Sequence, residues 1–255
     1  MEPWRSAIAH SDEHHLWIRG EDVTALMRSA SFADVVFLLH RARLPTPAER
    51  RLIDAILIAV ADHGAGAPSC AAARLAASGN RESLSAAIAA GILAIGDEHG
   101  GAGAECMENI GMGMEYVRSE KISLEEAAGR LIQHLRAQGK RIAGLGHRVH
   151  KESDPRTETL FDLARQSGLA GEGIAFMEAL CAAAAREYKK LPINIDGALA
   201  AVLFDLGFPP ALGKLIFIIG RVAGLTAEVL EEYLREKPMR IRIPVIYDGP
   251  PPHSV

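Results

Sequence analysis

Apolar residues return every three or four positions through most of the chain. Leu84, Ile88, Ile92 and Ile95 form one such series and Met107, Ile110, Met114 and Val117 the next, which is the spacing of one face of an α-helix. The two-residue alternation of a half-buried strand is scarce. The pattern predicts an all-α fold. Ser123 followed by Glu126 is a capping-box signature for a helix through Leu131 and Leu135 that Gly139 stops. Asp154-Pro155 reads as an N-cap with proline at the first helical position. Further helices are expected over 172–190, 197–206 and 210–236, the last two parted by Gly207 and Pro209. The stretch SCAAARLAASGNRESLSAAIAAGILAIG is dense in Ala and Gly while Leu and Ile still mark one face, so its helices should approach closely. The tail RIRIPVIYDGPPPHSV cannot continue a helix past its prolines and is expected to run extended over the surface.

With 255 residues, 49% of them hydrophobic, the chain can bury a substantial core as one large domain or two smaller ones sharing a cleft. A formal charge of −4 offers no basic face, which argues against a nucleic-acid partner. Cys70, Cys106 and Cys181 lie far apart without a CxxC pair. Neither a disulfide framework nor a zinc site is expected, and a reducing cytoplasm fits. The N-terminus has no apolar signal core, and KLIFIIGRVAGL is short and interrupted by Arg221, so a soluble protein without membrane contact is expected. His10, His14 and His15 offer metal ligands, although a solvated run is the plainer reading.

The candidate chemistry sits at the breaks between helices. His63 lies in ADHGAG, His99 in DEHGGAG, His147 in GLGHRVH and Asp196 in PINIDGAL. Alone, each is a turn residue or a cap, Asp196 most simply the N-cap of the next helix. Four together suggest side chains converging on one cleft while the apolar faces build the scaffold. There is no HExxH, no GxSxG and no GxxxxGK[ST]. GMGMEY and GLGHRV lack the third glycine and the preceding strand of a dinucleotide fingerprint. Cys106 is a nucleophile candidate only if the fold pairs it with His99; a buried structural thiol is the alternative. Arg221 inside FIIGRVAGL is costly unless it meets an acid in the fold or an anionic ligand.

Taken in order, DHG, HGGA, GxGHRVxKxxDPR, NIDG and an Arg within an apolar helix resemble the citrate synthase superfamily. LWIRGEDVTALMRSASFADVVFLLHRARLPTPAE is similar to its N-terminal segment. The resemblance is strongest to the short citryl-CoA lyase branch, which includes the lyase module of ATP-citrate lyase. Only residues 50–60 separate LPTPAE from ADHG, where a full-length citrate synthase carries a long helical section. His99, by contrast, is kept as in citrate synthases, whereas that lyase module lacks the histidine. The resemblance implies one catalytic unit over 1–255, with 1–100 and 191–255 mainly a large helical domain and about 101–190 mainly a small one, closing over a cleft. It also implies a homo-oligomer, dimer or tetramer.

The implied chemistry makes or breaks the carbon–carbon bond between acetyl-CoA and oxaloacetate through a thioester enolate. By resemblance Asp196 is the base, His99 donates to the thioester oxygen and His147 to the ketone oxygen; read backward, His147 removes the hydroxyl proton of citryl-CoA and Asp196 returns one to carbon. Arg156, Arg221 and His63 would bind the substrate's carboxylates, and Arg240 or Arg242 would be lent to a neighbouring subunit. Coenzyme A, carried as the acyl-CoA substrate with no metal required, would sit on Gly144, Leu145 and Gly146, with Lys140, Arg141 or Lys151 toward its phosphates. The alternatives left open are another acyl-CoA or oxo acid, as in methylcitrate synthase, and a non-catalytic CoA- or carboxylate-binding homologue.

Overall fold

Met107, Ile110 and Met114 are buried, and the helix that carries them packs against four others in a mainly helical assembly. In the computed structural model the described residues are 2–147 and 150–250; Arg148 and Val149 of GHRVH and the end of the proline-rich tail, 251–255, lie outside them. Three short strands come first, β1 (Ala9–Ser11), β2 (Leu16–Ile18) and β3 (Glu21–Asp22). The helices are α1 (Val23–Ser29), α2 (Phe32–Arg41), α3 (Pro47–Val60), α4 (Pro68–Gly79), α5 (Leu84–Leu93), α6 (Ala102–Glu120), α7 (Leu124–Ala137), α8 (Pro155–Gln166), α9 (Glu172–Glu187), α10 (Ile195–Asp205) and α11 (Leu212–Arg235). None of the described helices is long and apolar enough to cross a membrane.

Local chemistry accounts for the helix starts. Ser123 and Glu126 form the capping box that opens α7, and Gly139 follows its end at φ +68°. Asp154 accepts from the Arg156 amide ahead of Pro155. Ser31 with Asp34 and Thr46 with Glu49 make the same box at α2 and α3.

α10 is apolar all round, as a central helix must be, and packs against α6, α8, α9 and α11. One hydrophobic cluster runs from Ala33 on α2 through Leu131 on α7 to Phe217 on α11. A smaller one joins α4, α5 and α11 through Cys70, Ala73, Ala77, Ala87, Leu225 and Val229. The Ala/Gly-rich helices do approach closely: a Cβ on Gly91 would stand 3.0 Å from the Ala73 Cβ.

The structure corrects the sequence reading in several places. The N-terminal segment forms an antiparallel three-stranded meander, order β1-β2-β3, with His10 opposite Trp17. Its strands are two or three residues long, too short for alternation to show. His10 and His15 stack on the Trp17 indole at 5.4 and 5.1 Å, so packing on an aromatic ring occupies two of the three histidines. α9 ends at Glu187 rather than 190, and α11 spans 212–235 rather than 210–236. α10 starts at Ile195, which puts Asp196 inside the helix; Asn194 is the cap, accepting from the Gly197 amide. Leu84 is exposed and only Ile95 of its series is fully buried, so that stripe is half a core face.

Candidate active site

Two glycine loops are stitched together at the base of the site. Gly144 O accepts from the Asn194 amide at 3.0 Å, Gly146 N donates to Pro192 O at 2.7 Å, and Asn194 Nδ2 donates to Gly146 O at 2.8 Å. Leu145 bridges Ile193 between them. Gly144 has φ +83°, and a Cβ there would meet Cys106 Sγ and Gly197 Cα, both at 2.7 Å. The close approach that Gly144 permits includes one to its own chain. Gly146, φ +89°, has only Leu191 at 3.5 Å on its Cβ side. The clamp sets the segment leading to His147 against the first turn of α10.

Asp196 stands in that first turn. Its Oδ1 is buried with no hydrogen-bond partner, while the residue keeps some exposure. Burial pushes its pKa up to about 6 against the pull of Arg156 and Arg221. A helix N-terminus also favours the anion, so desolvation outweighs three stabilising influences. A carboxylate left this way exchanges protons near neutrality, as an acid–base group must.

His147 receives the His150 amide on Nδ1 at 2.9 Å. An amide only donates, so Nδ1 carries the lone pair and the neutral ring holds its proton on Nε2. The His63 ring meets it edge-on at 5.6 Å and the His150 ring lies tilted against it at 4.5 Å. Burial holds both His63 and His147 below the usual histidine pKa, with Arg156 and Arg221 adding to the effect on His63.

His99 closes a tight turn between α5 and α6, exchanging backbone bonds with Gly96. Its Nε2 receives the Ser69 amide at 3.3 Å and lies 2.9 Å from Ser69 Oγ. Ser69 Oγ in turn accepts from Arg221 Nη1 at 3.1 Å, so the hydroxyl proton points to His99. The His99 proton is thereby on Nδ1, and the chain Arg221–Ser69–His99 fixes that tautomer. Arg221 is 2% exposed, donates from Nε to Val60 O at 2.8 Å and lies over the Phe217 ring at 4.8 Å. No carboxylate among the described residues comes within ion-pairing distance of it, and burial lowers its pKa. Of the two alternatives for Arg221, an acid in the fold is not the one found.

Arg156 differs: it grips Asp154 with two bonds, Nε to Oδ1 at 3.0 Å and Nη2 to Oδ2 at 2.8 Å. Burial raises the pKa of Asp154, but the Arg156 bonds and charge hold it below the carboxylate range. Nη1 makes a long 3.4 Å contact with Ala59 O and is the edge left for a ligand. The sequence marked Asp154 only as a cap and missed it as the anchor of Arg156; the i, i+2 spacing in DPR is the signal that could have revealed it.

The remaining candidates are placed elsewhere. Lys151 Nζ is exposed and donates to His147 O at 3.1 Å, and Arg141 pairs with Glu98 at 2.8 Å. Arg240 pairs with Glu232 and Glu236 at the end of α11. Arg242 is exposed and makes no bond to a described residue. Cys106 is fully buried, donates to Met177 Sδ and has its thiol pKa pushed well up by burial and by Asp196, so it is no nucleophile. Among the described residues, Asp62, Cys70 and Glu228 alone bring three ligand atoms within 4.8 Å of one another. Arg74 already holds Glu228 at 2.5 Å, and burial and Asp62 raise the Cys70 thiol, both unfavourable to a cation.

Against known proteins, residues 45–242 match the model of the citrate synthase C-terminal domain. The citrate synthase of Haloferax volcanii is 28% identical over 229 residues, 88% of this chain and 57% of its own length. Citrate synthase 2 of Bacillus subtilis is 31% identical over 209 residues, 81% of this chain and 53% of its own. The chain thus spans about half the length of these relatives. The structure of citryl-CoA lyase from Hydrogenobacter thermophilus superposes with a TM-score of 0.89 at 40% identity, covering 100% of this chain and 98% of that one. The paired glycine loops, with an imidazole at the end of one and a partnerless carboxylate on the other, thus lie in a helical scaffold whose matched region covers most of the sequence: the chain belongs to the citrate synthase family.

Proposed function

We propose that this chain makes or breaks the carbon–carbon bond between acetyl-CoA and oxaloacetate, and that it works as a citryl-CoA lyase. The observation that carries the reading is Asp196, a buried carboxylate without a partner whose pKa of about 6 lets it give or take a proton near neutrality. The likeness to a citryl-CoA lyase, at 40% identity and a TM-score of 0.89, supports the lyase direction.

In cleavage, protonated Asp196 delivers a proton to the methylene carbon as the carbon–carbon bond breaks. His99 donates from Nδ1 to the thioester oxygen while that oxygen carries enolate charge. His147, with Nε2–H as its donor, stabilises the oxygen that becomes the ketone of oxaloacetate. The same tautomer prevents His147 from also accepting the hydroxyl proton. That proton goes to His63, the neighbouring imidazole, whose pKa desolvation and the two arginines hold below the usual histidine value. Arg221 and the Nη1 edge of Arg156 pair with carboxylates. His99 and His147 suit the site as neutral donors because they place no second full charge beside Asp196.

CoA enters as the acyl carrier, over the Gly146 side of the loop clamp. The division into a large domain (1–100 and 191–255) and a small one (about 101–190) gives the cleft its means of closing. Exposed Leu230 and Leu234 on α11 support self-association as at least a dimer, and the reducing cytoplasm is the compartment that suits free Cys181.

Two assays test the reading. Purified protein is given citryl-CoA while oxaloacetate is followed with malate dehydrogenase, and acetyl-CoA with oxaloacetate while free CoA is followed with a thiol reagent. Oxaloacetate release in the first with no free CoA in the second is expected. CoA release in the second makes it a synthase, propionyl-CoA replacing acetyl-CoA identifies a methylcitrate-type enzyme, and silence in all arms removes the catalytic reading.

A further inference from the structure

Asn194 stands two residues before Asp196 in NIDG, and each of its hydrogen-bonding groups is spent on one of the two glycine loops. Its backbone carbonyl accepts from the Ala198 amide at 3.0 Å and its Oδ1 from the Gly197 amide at 3.1 Å, both in the first turn of α10. On the other side its backbone amide donates to Gly144 O at 3.0 Å and its Nδ2 to Gly146 O at 2.8 Å. The partners fix which side-chain atom is which: an amide N–H only donates, so oxygen faces Gly197 and the NH2 group faces the Gly146 carbonyl. The base of the grip is itself secured, because Ile193 O accepts from Thr157 Oγ1 at 3.0 Å in the first turn of α8.

Gly146 O belongs to the peptide that joins Gly146 to His147. A peptide is planar, so the direction of this carbonyl sets where the His147 backbone starts. Gly146 lies in the left-handed region at φ +89°, with the freedom of glycine in the torsion that turns this peptide. The Nδ2 bond acts on that torsion directly. Asp, Ser and Thr cap a helix as Asn does, since each offers an oxygen to the first-turn amides. Only Asn adds a separate N–H donor beside the oxygen; a Ser or Thr hydroxyl is a single atom one bond nearer the main chain.

We propose that Asn194 is a positioning residue for the reaction: its side-chain amide sets the spacing of Asp196 and His147, capping the helix that carries the first and gripping the peptide that leads to the second. Any good capping residue supplies the first function, and the second requires asparagine. The proposal rests on the lyase reading above, and one of its two tests is independent of turnover.

Asn194→Ser keeps a capping oxygen and loses the Nδ2 donor, whereas Asn194→Ala loses both. Circular dichroism establishes that each folds. Asn194→Ala should melt about 2–4 °C below Asn194→Ser, the shift expected for one lost cap in a chain of this size. The two variants should nevertheless share a fall of about tenfold in kcat for citryl-CoA cleavage, since a misplacement of about 1 Å costs up to about a hundredfold, with KM little changed. Were Asn194 a cap and nothing more, activity would follow the cap, so a wild-type kcat in Asn194→Ser overturns the proposal. Hydrogen–deuterium exchange provides the second test. Exchange over 144–147 should quicken in both variants, and exchange at the start of α10 in Asn194→Ala alone. Unchanged exchange over 144–147 in Asn194→Ser overturns the proposal whether or not the wild type turns over, whereas an inactive wild type with the expected exchange pattern removes the lyase reading alone.

Discussion

Gly144 and Gly197 meet backbone against backbone, so closely that a Cβ on Gly144 would lie 2.7 Å from the Gly197 Cα. A Cβ on Gly197 would in turn fall onto the Gly144 carbonyl. The contact ties the segment leading to His147 to the turn bearing Asp196, and a methyl group forces it open. Gly197→Ala should cost about 1–3 kcal/mol, the usual range for overpacking. It should also lower kcat by more than that destabilisation explains at temperatures where the protein is fully folded. Urea denaturation with turnover at 25 °C checks this; a variant that loses stability while keeping kcat would show that the junction does not set the spacing of the two groups.

Asp196 trades stability for chemistry. Its native pKa of about 6 lies above the unperturbed 3.8, so between these values the native state holds more protons than the unfolded chain. Stability therefore falls as pH rises through this window and stays lower above it. Asp196→Asn should raise stability at pH 7.5 by on the order of 1–3 kcal/mol, the free energy of such a shift, and give no gain at pH 4. Cleavage, which needs the acid form, should decline above about pH 6, and bond formation should rise through the same value. A kcat/KM profile flat from pH 5 to 8 in both directions would remove Asp196 from the proton transfer.

Ser69 stands between Arg221 and His99. Its hydroxyl is the link through which Arg221 and the His99 Nε2 are joined. Ser69→Ala removes the hydroxyl and leaves the backbone N–H on Nε2. With the hydroxyl link to Arg221 gone, kcat should fall by up to about a hundredfold, the lower end of what a positioned donor contributes. Ser69→Thr, which restores the hydroxyl, should recover activity if the extra methyl is accommodated. Steady-state kinetics on both variants decide it.

Helical architecture and the glycine-loop residues were legible because each rests on local signals. Ser123 with Glu126 and Asp154 with Pro155 announce helix starts within three residues, and the Met107–Ile110–Met114 spacing announces a core face. The strands were not, since β1 to β3 are held by pairing across a turn and by Trp17 stacking, which a two- or three-residue run cannot display. Asp196 was chosen as a base through family resemblance; its partnerless Oδ1 depends on Asn194 taking the capping role, which a sequence with Asn and Asp two residues apart leaves open. The pairing of Arg240 with Glu232 was hidden because RIRIP carries no capping or spacing signal, although eight residues is a short reach from the end of a helix.

The two arginines of the site should respond oppositely to removal. Arg156 satisfies Asp154, whose side chain is 0% exposed, so Arg156→Ala strands a buried carboxylate and should destabilise the free protein by about 3 kcal/mol, as breaking a buried pair does. Arg221 has a carbonyl and a hydroxyl but no carboxylate, and its own charge is disfavoured by burial. Replacing an unpaired buried charge with an apolar side chain of similar length removes the desolvation cost, so Arg221→Met should leave the free protein as stable as the wild type or more so. The ligand effect reverses this order. A polycarboxylate that supplies the missing anion should raise the melting temperature of the wild type and fail to raise that of Arg221→Met, while Arg156→Ala, less stable alone, should retain part of the response through Arg221. Thermal melts of the three proteins with and without citrate and oxaloacetate separate the roles. An Arg221→Met variant that is destabilised when free and still responds to ligand like the wild type would make Arg221 a structural residue and leave carboxylate binding to Arg156.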